Sequence, residues 1–280
     1  MARPEKLGSD PNFGSQAMNS PDVSWYASKL GKSCKTPYVV ASQTRAPLAR
    51  SESCRTSLLS KAFKAETQML KYLTIPVTPF QQNCSLVWDD QSQQAAVIDP
   101  GGDVDRILAA VKKLGLKLEQ IWITHAHVDH AAATAELAES LDLPIHGPHP
   151  EDQFWIDGLA QAAAMYQFPP AKPFQPTRWL HDGDTVSIGA HTLQVRHCPG
   201  HTPGHVVFYS PEIGRAFVGD VLFAGSIGRT DFPRGDYDTL IGSITQRLWP
   251  MGNETVFIPG HGPESTFGRE RQTNPFVGGT

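Results

Sequence analysis

The sequence predicts an α/β fold of four layers, αββα, in which two mixed sheets pack face to face with helices outside. Three observations predict it. From Met69 onward, short β-branched runs alternate with Ala- and Leu-rich segments of helical spacing. The order of elements is β-rich, then βα, then β-rich, then α, and the chain has no internal repeat. Two stacked sheets satisfy that order better than one parallel sheet. A doubly wound dinucleotide fold would need a glycine-rich turn after its first strand, whereas Gly101 and Gly102 follow the third strand and read as a turn in DPGG.

The elements follow in order. Residues 71–77, 84–88 and 95–99 read as three strands separated by turn residues. Residues 103–114 place apolar side chains at 104, 107, 108, 111 and 114, with acids in the first turn and lysines in the last, which is an amphipathic helix. A buried strand at 120–124 precedes a second helix at 131–141 and a weaker helical pattern at 151–165. The proline-rich stretch FPPAKPFQP comes next. Strands are expected at 185–189, 191–198, 205–210 and 215–219. A helix at 237–248, a strand at 255–259 and a short helix near 264–271 finish the chain.

Composition sets the outer limits. The chain has 280 residues, 40% of them apolar and 19% charged, which is enough to build a sizeable core. No stretch approaches the ~20 apolar residues of a membrane helix. A net charge of −4 argues against a partner built of nucleic acid or anionic lipid. Cys34, Cys54, Cys84 and Cys198 share no paired spacing, so a reducing, cytoplasmic location is expected. Residues 1–68 differ from the rest, with ten Lys and Arg against five Asp and Glu and many Ser, Pro and Gly. They are expected to be a mostly disordered extension or a non-native or over-extended N-terminus. Residues 45–65 share the basic, Ser-rich character of an organellar transit peptide, but Glu5, Asp10 and Asp22 count against one. Residues 69–280 are expected to form the folded domain.

The chemistry concentrates after the strand at 120–124, in Thr124-His125-Ala126-His127-Val128-Asp129-His130. Two residues apart on an extended segment, His125 and His127 project to the same side. Asp129 and His130, at the start of a helix, face the same pocket from another angle. A second cluster spans His197-Cys198-Pro199-Gly200-His201-Thr202-Pro203-Gly204-His205, where Gly and Pro stiffen the loop. Asp220 ends the apolar run FVGD, and His261 follows the strand in FIPGHGP. These groups share a position at strand termini. Cys198 is a weak candidate ligand, Cys84 reads as core, and His197 and His205 fit either hydrogen-bonding support or plain strand-end placement.

HAHVDH, CPGHTPGH, FVGDVLF and IPGHGP together resemble the metallo-β-lactamase superfamily, in order and across residues 69–280. IPVTPFQQNCSLVW, DPGGD, HCPGHTPGHVVF, GRTDFPRGD and IPGHGPESTFGRERQTNPF look like the short glyoxalase II type, the hydroxyacylglutathione hydrolases without a C-terminal helical domain. The resemblance implies that His125, His127 and His201 hold one metal, that Asp129, His130 and His261 hold a second, and that Asp220 bridges both. Imidazoles and carboxylates suit zinc, with iron or manganese as alternatives. A hydroxide shared by the two ions would attack the thioester carbonyl of S-D-lactoylglutathione, with Asp129 as the catalytic residue that manages its proton. D-Lactate and glutathione would leave, a step in methylglyoxal detoxification.

Arg229 and Asp231, with Arg234 in the same loop, lie where the family contacts substrate. An arginine there can pair with a glutathione carboxylate, and a structural Arg–Asp pair fits equally. Arg269, Arg271 and Asn274 are expected to cap the last helix. With 19 residues after His261, the basic helical extension of the long glyoxalase II form is expected to be absent, which opens the way to a broader thioester, lactone or β-lactam hydrolase. The nearest alternative is a persulfide dioxygenase with one iron on His125, His201 and Asp220. A small-molecule thioester is the expected partner, without nucleic acid or membrane, and the oligomeric state stays open.

Overall fold

The computed structural model describes residues 69–279, and the expectations for residues 1–68 lie outside them. The chain runs through β1 (Leu70–Val77), β2 (Gln82–Asp89), β3 (Gln94–Ile98), α1 (Val104–Leu114) and β4 (Lys117–Trp122). It continues through α2 (Val128–Ala131), α3 (Thr134–Leu141), β5 (Ile145–His146), α4 (Gln153–Asp157) and α5 (Leu159–Met165). Then follow β6 (Thr185–Ile188), β7 (His191–His197), β8 (Val206–Ser210), β9 (Arg215–Gly219) and the hairpin β10 (Leu222–Phe223) and β11 (Ser226–Ile227). α6 (Tyr237–Ser243), β12 (Val256–Pro259), β13 (Ser265–Thr266) and α7 (Phe267–Thr273) complete it.

Both large sheets are mixed. The first has the order β1-β2-β3-β4-β5, antiparallel up to β3 and parallel beyond it. A parallel neighbour needs a crossover, and α1 supplies it between β3 and β4. That helix carries Asp105 in its first turn and Lys112 and Lys113 in its last, and it ends on Gly115 at φ 68°. The second sheet has the order β13-β12-β9-β8-β7-β6, with β9 and β12 parallel across the α6 crossover.

Three apolar layers confirm the four-layer expectation. Between the sheets lie Val87, Ile98 and Trp122 from one side and Leu193, Val195, Phe208 and Phe217 from the other. The outer face of the first sheet, with Leu86, Val97 and Ile121, packs on Ile107, Leu137 and Leu159 of the helices. The outer face of the second, with Val207, Ala216 and Phe257, packs on Leu240 and Phe267. Successive residues such as Leu86 and Val87 are therefore buried on opposite faces, which is why these strands read as continuous apolar runs.

Three expected helices are interrupted. The helix expected at 131–141 is two pieces, because the Ala133 N–H turns away to donate to the Pro100 carbonyl at 3.1 Å. The pattern at 151–165 breaks at Gly158 into α4 and α5. The helix expected at 237–248 widens after α6 into a π-helical stretch, Ile244–Leu248, where Thr245 Oγ1 donates back to the Ile241 carbonyl at 2.8 Å. The two-residue strands β5, β10, β11 and β13 were too short to show a period. None of the described helices is long and apolar enough to cross a membrane.

Trp122 joins the two sheets: it is fully buried, tilts against Phe208 at 5.5 Å between ring centroids, and donates from Nε1 to Gln120 Oε1 at 2.8 Å. Trp122→Ala is expected to cost about 3–5 kcal/mol of stability, measured as a lower urea midpoint with an unchanged slope.

Candidate metal centre

The site forms where strand ends from both sheets meet. Backbone bonds stitch them together there: Val206 N donates to the Thr124 carbonyl at 2.8 Å, and Asn83 N to the Gly260 carbonyl at 2.7 Å. The end of β4 delivers His125, His127, Asp129 and His130. The β7–β8 loop delivers His201, the end of β9 delivers Asp220, and the end of β12 delivers His261. All seven expected ligand residues arrive in one pocket.

Their donor atoms lie close. His127 Nδ1 is 2.9 Å from His201 Nε2, and His201 Nε2 is 3.5 Å from Asp220 Oδ2. His130 Nε2 is 3.3 Å from Asp220 Oδ1 and 3.9 Å from Asp129 Oδ2. His261 Nε2 is 3.0 Å from Asp129 Oδ2 and 3.8 Å from Asp220 Oδ2. Ligands held ~2.1 Å from a tetrahedral ion lie ~3.4 Å apart, so these spacings fit a shared cation. His125, His127 and His201 form one candidate triplet and Asp129, His130 and His261 another. Asp220 turns one oxygen toward His130 and the other toward His201 and His261, a bridging position.

At His125, His130, His201 and His261 the inward nitrogen is Nε2, because Nδ1 is engaged on the outer side. His125 Nδ1 donates to Thr124 Oγ1 (3.0 Å), which in turn donates to Asp99 Oδ2 (2.6 Å). His130 Nδ1 donates to the same oxygen at 2.9 Å, His201 Nδ1 to the Arg229 carbonyl at 2.7 Å, and His261 Nδ1 to the Phe80 carbonyl at 3.2 Å. Each such bond fixes ring orientation and tautomer. The buried Nε2 atoms of His125 and His130, and Asp220 Oδ1, have no hydrogen-bond partner, as expected of groups made for a cation. His127 is turned the other way, with Nδ1 inward.

The electrostatics are uneven. Burial lowers His125 and His127 well below the usual imidazole range, helped by neighbouring imidazoles, and lowers His201 too. At His130 burial opposes the charged form, but the Asp220 and Asp129 carboxylates outweigh it and raise the ring well above that range. His261 is raised for the same reason. Asp220 and Asp129 stay ionised: although burial works against them, the facing His130 and His261 hold both low. One half of the cluster is neutral imidazole, and the other is a paired network.

Close backbone approach makes room for this. A Cβ on Gly260 would sit 2.0 Å from Asp220 Oδ1 and 2.6 Å from His130 Cε1. Asp152, at the start of α4, ties the two histidine loops together by accepting from Ala126 N (3.0 Å), Gly204 N (2.6 Å) and Thr202 Oγ1 (2.9 Å), and burial raises its carboxyl to about 7. Sequence reading passed over Asp99 and Asp152. Asp99 ends an apolar strand just as Asp220 does, which was a usable signal, while Asp152 had none.

His205 supports the site. Its Nε2 accepts from Asp220 N at 3.0 Å, and its ring stacks on His125 with centroids 4.6 Å apart. Cys198 is a buried thiol pushed up to about 12 by burial, and Cys84 is buried in the core. Arg229 pairs bidentately with Asp231 (2.9 and 2.7 Å) and lies 4.5 Å over the Phe232 ring. Phe232 in turn packs 4.8 Å from His127, which places this loop at the mouth of the pocket. Asn274 follows α7 and donates to the Ser226 carbonyl and to Glu270, tying the helix end to the β10–β11 hairpin.

Comparison with known proteins places this geometry. Residues 77–261 match the family model described as the metallo-beta-lactamase superfamily. A hydroxyacylglutathione hydrolase, GloC, of Haemophilus influenzae is 44% identical over 204 residues, covering 72% of this chain and 96% of the relative. The solved BLEG-1 B3 metallo-beta-lactamase superposes with TM-score 0.69 at 34% identity, covering 75% of this chain and all of that one. TTHA1623, solved in a di-iron-bound form, has TM-score 0.66 at 42% identity, covering 72% and 98%.

Asp152→Ala would leave two buried N–H groups and a hydroxyl without their acceptor. It is expected to lower stability by about 3 kcal/mol or more, read by chemical denaturation of the purified variant.

Proposed function

The chain belongs to the metallo-β-lactamase superfamily, and from that premise we propose that it is a dinuclear metal-dependent hydrolase of glutathione thioesters, with S-D-lactoylglutathione as substrate. The observation that carries this reading is the convergence of two triplets, His125–His127–His201 and Asp129–His130–His261, on Asp220 at coordination spacing, with the buried His125 Nε2, His130 Nε2 and Asp220 Oδ1 left without a hydrogen-bond partner. The thioester choice is supported by the 44% identity to the Haemophilus hydroxyacylglutathione hydrolase over nearly its whole length.

His125, His127 and His201 would hold one divalent ion, Asp129, His130 and His261 a second, and Asp220 both. Zinc is the proposed metal, with iron the alternative favoured by the di-iron relative. When bound, such a pair supplies hydroxide near neutral pH and polarises the scissile carbonyl.

The chain's own groups do the rest. Asp129 is held ionised and faces the centre of the cluster, positioned to accept a hydrogen bond and take up a proton. Phe232 and Trp155 pack against His127 and keep bulk water from that side. Arg229, held by Asp231, and Arg234, stacked 4.3 Å over Phe154, form a cationic rim. That rim suits the glutathione carboxylates.

His127→Ala is expected to lose at least one metal equivalent and more than about a hundredfold of thioester turnover. Full metal content with full activity would refute the assignment. A substrate panel on protein of measured metal content tests the chemistry: thioester turnover supports the proposal, whereas oxygen uptake with glutathione persulfide on one iron, or β-lactam turnover alone, overturns it. pH gives a further check. The carboxylates raise His130 and His261, so a metal there competes with protons at higher pH than at His125, His127 and His201, which burial lowers. Lowering the pH from 8 to 6 is therefore expected to strip the Asp129–His130–His261 side first, with proton release on reloading measurable by calorimetry in two buffers.

A further inference from the structure

Outside the central cluster, a second group of metal-binding side chains gathers on the surface. His149 precedes a short 3₁₀ turn (Pro150–Asp152), Glu151 lies within it, and His197 ends β7. The His149 and His197 rings stack with centroids 4.1 Å apart at 16°, and His181 meets His149 edge-on at 4.9 Å. Glu151 Oε2 lies 3.8 Å from His149 Nδ1 and 3.9 Å from His197 Nε2. One donor atom from each of these three residues falls within 4.8 Å of the other two.

We infer that His149, Glu151 and His197 form a further divalent-metal site, separate from the central cluster, which takes zinc or a similar borderline cation. Two imidazoles and one carboxylate are a donor set of that class. The distances from Glu151 exceed the ~3.4 Å spacing of ligands on a tetrahedral ion by only ~0.5 Å. Glu151 is more than half exposed and free to close that gap. His149 Nδ1 is the unprotonated nitrogen of its ring: it accepts from Glu151 N at 3.4 Å, a long bond that a cation would replace. Burial and the neighbouring His197 hold that ring below the usual imidazole range, so it is neutral at pH 7.

Filling the site has a consequence for the centre. His197 Nε2 donates to the Pro203 carbonyl at 2.8 Å, and His149 N donates to the Gly204 carbonyl at 3.0 Å. Both carbonyls belong to the loop that carries His201. A cation needs the His197 Nε2 lone pair, so coordination removes the bond to Pro203 and loosens that loop. Excess metal then slows turnover.

The test is equilibrium dialysis of the metal-loaded protein against rising Zn²⁺, with metal counted per chain. The wild type is compared with Glu151→Gln and with the double variant His149→Gln/Glu151→Gln. The wild type is expected to bind one equivalent more than the double variant, whatever number the central cluster holds, with Glu151→Gln weakened about tenfold. Equal metal counts in all three proteins would overturn the site. Turnover of the wild type is expected to fall as the extra equivalent binds, while the double variant keeps its turnover. Binding of that equivalent with unchanged turnover would overturn the coupling to Pro203. The dialysis count stands without any assumed substrate, so its failure is distinct from failure of the proposed thioester chemistry.

Discussion

The structure depends on one constraint: imidazoles and carboxylates are gathered where water is scarce, and their lone pairs must face one another. Unneutralised, such a group of donors would be costly to bury. The surrounding fold is arranged around that cost. Asp99 is the shared anchor, accepting from Thr124 N, Thr124 Oγ1 and His130 Nδ1, and through the Thr124 hydroxyl it also orients His125. Backbone carbonyls at Phe80 and Arg229 orient His261 and His201 in the same way. Four strand ends and a hydrogen-bond frame thus preset the ring angles before any cation arrives.

The two halves of the centre differ in a way that follows from placement. His125, His127 and His201 face mainly one another, so burial and mutual repulsion keep them neutral. His130 and His261 face the two carboxylates, which raise both rings above the usual imidazole range. Asp220 stands between these halves, and its backbone N–H is fixed on His205, whose ring lies flat against His125. Gly260 and Gly101 let chain segments approach these residues to distances at which a side chain would collide, since a Cβ on Gly101 would sit 1.5 Å from the Asp129 carbonyl oxygen.

Much of this was legible in the sequence. The spacing HAHVDH placed four donors on one strand end, the short β-branched runs gave the main strands, and the element order gave two stacked sheets. The supporting groups were less visible. Asp152 joins loops some 26 and 52 residues away, as measured to Ala126 and Gly204, and such contacts leave no local pattern. The break between α2 and α3 follows from the Pro100 carbonyl, a neighbour only in three dimensions. The stacking of His149 on His197 likewise depends on how β7 meets the turn before α4.

The measurement that bears most directly on the central claim is anomalous scattering from crystals of the metal-loaded protein, collected at the metal edge. The account predicts two peaks ~3.5–4 Å apart, one bonded by His125, His127 and His201, the other by Asp129, His130 and His261, with an Asp220 oxygen at each. A single peak, or ions bonded by other side chains, would contradict it.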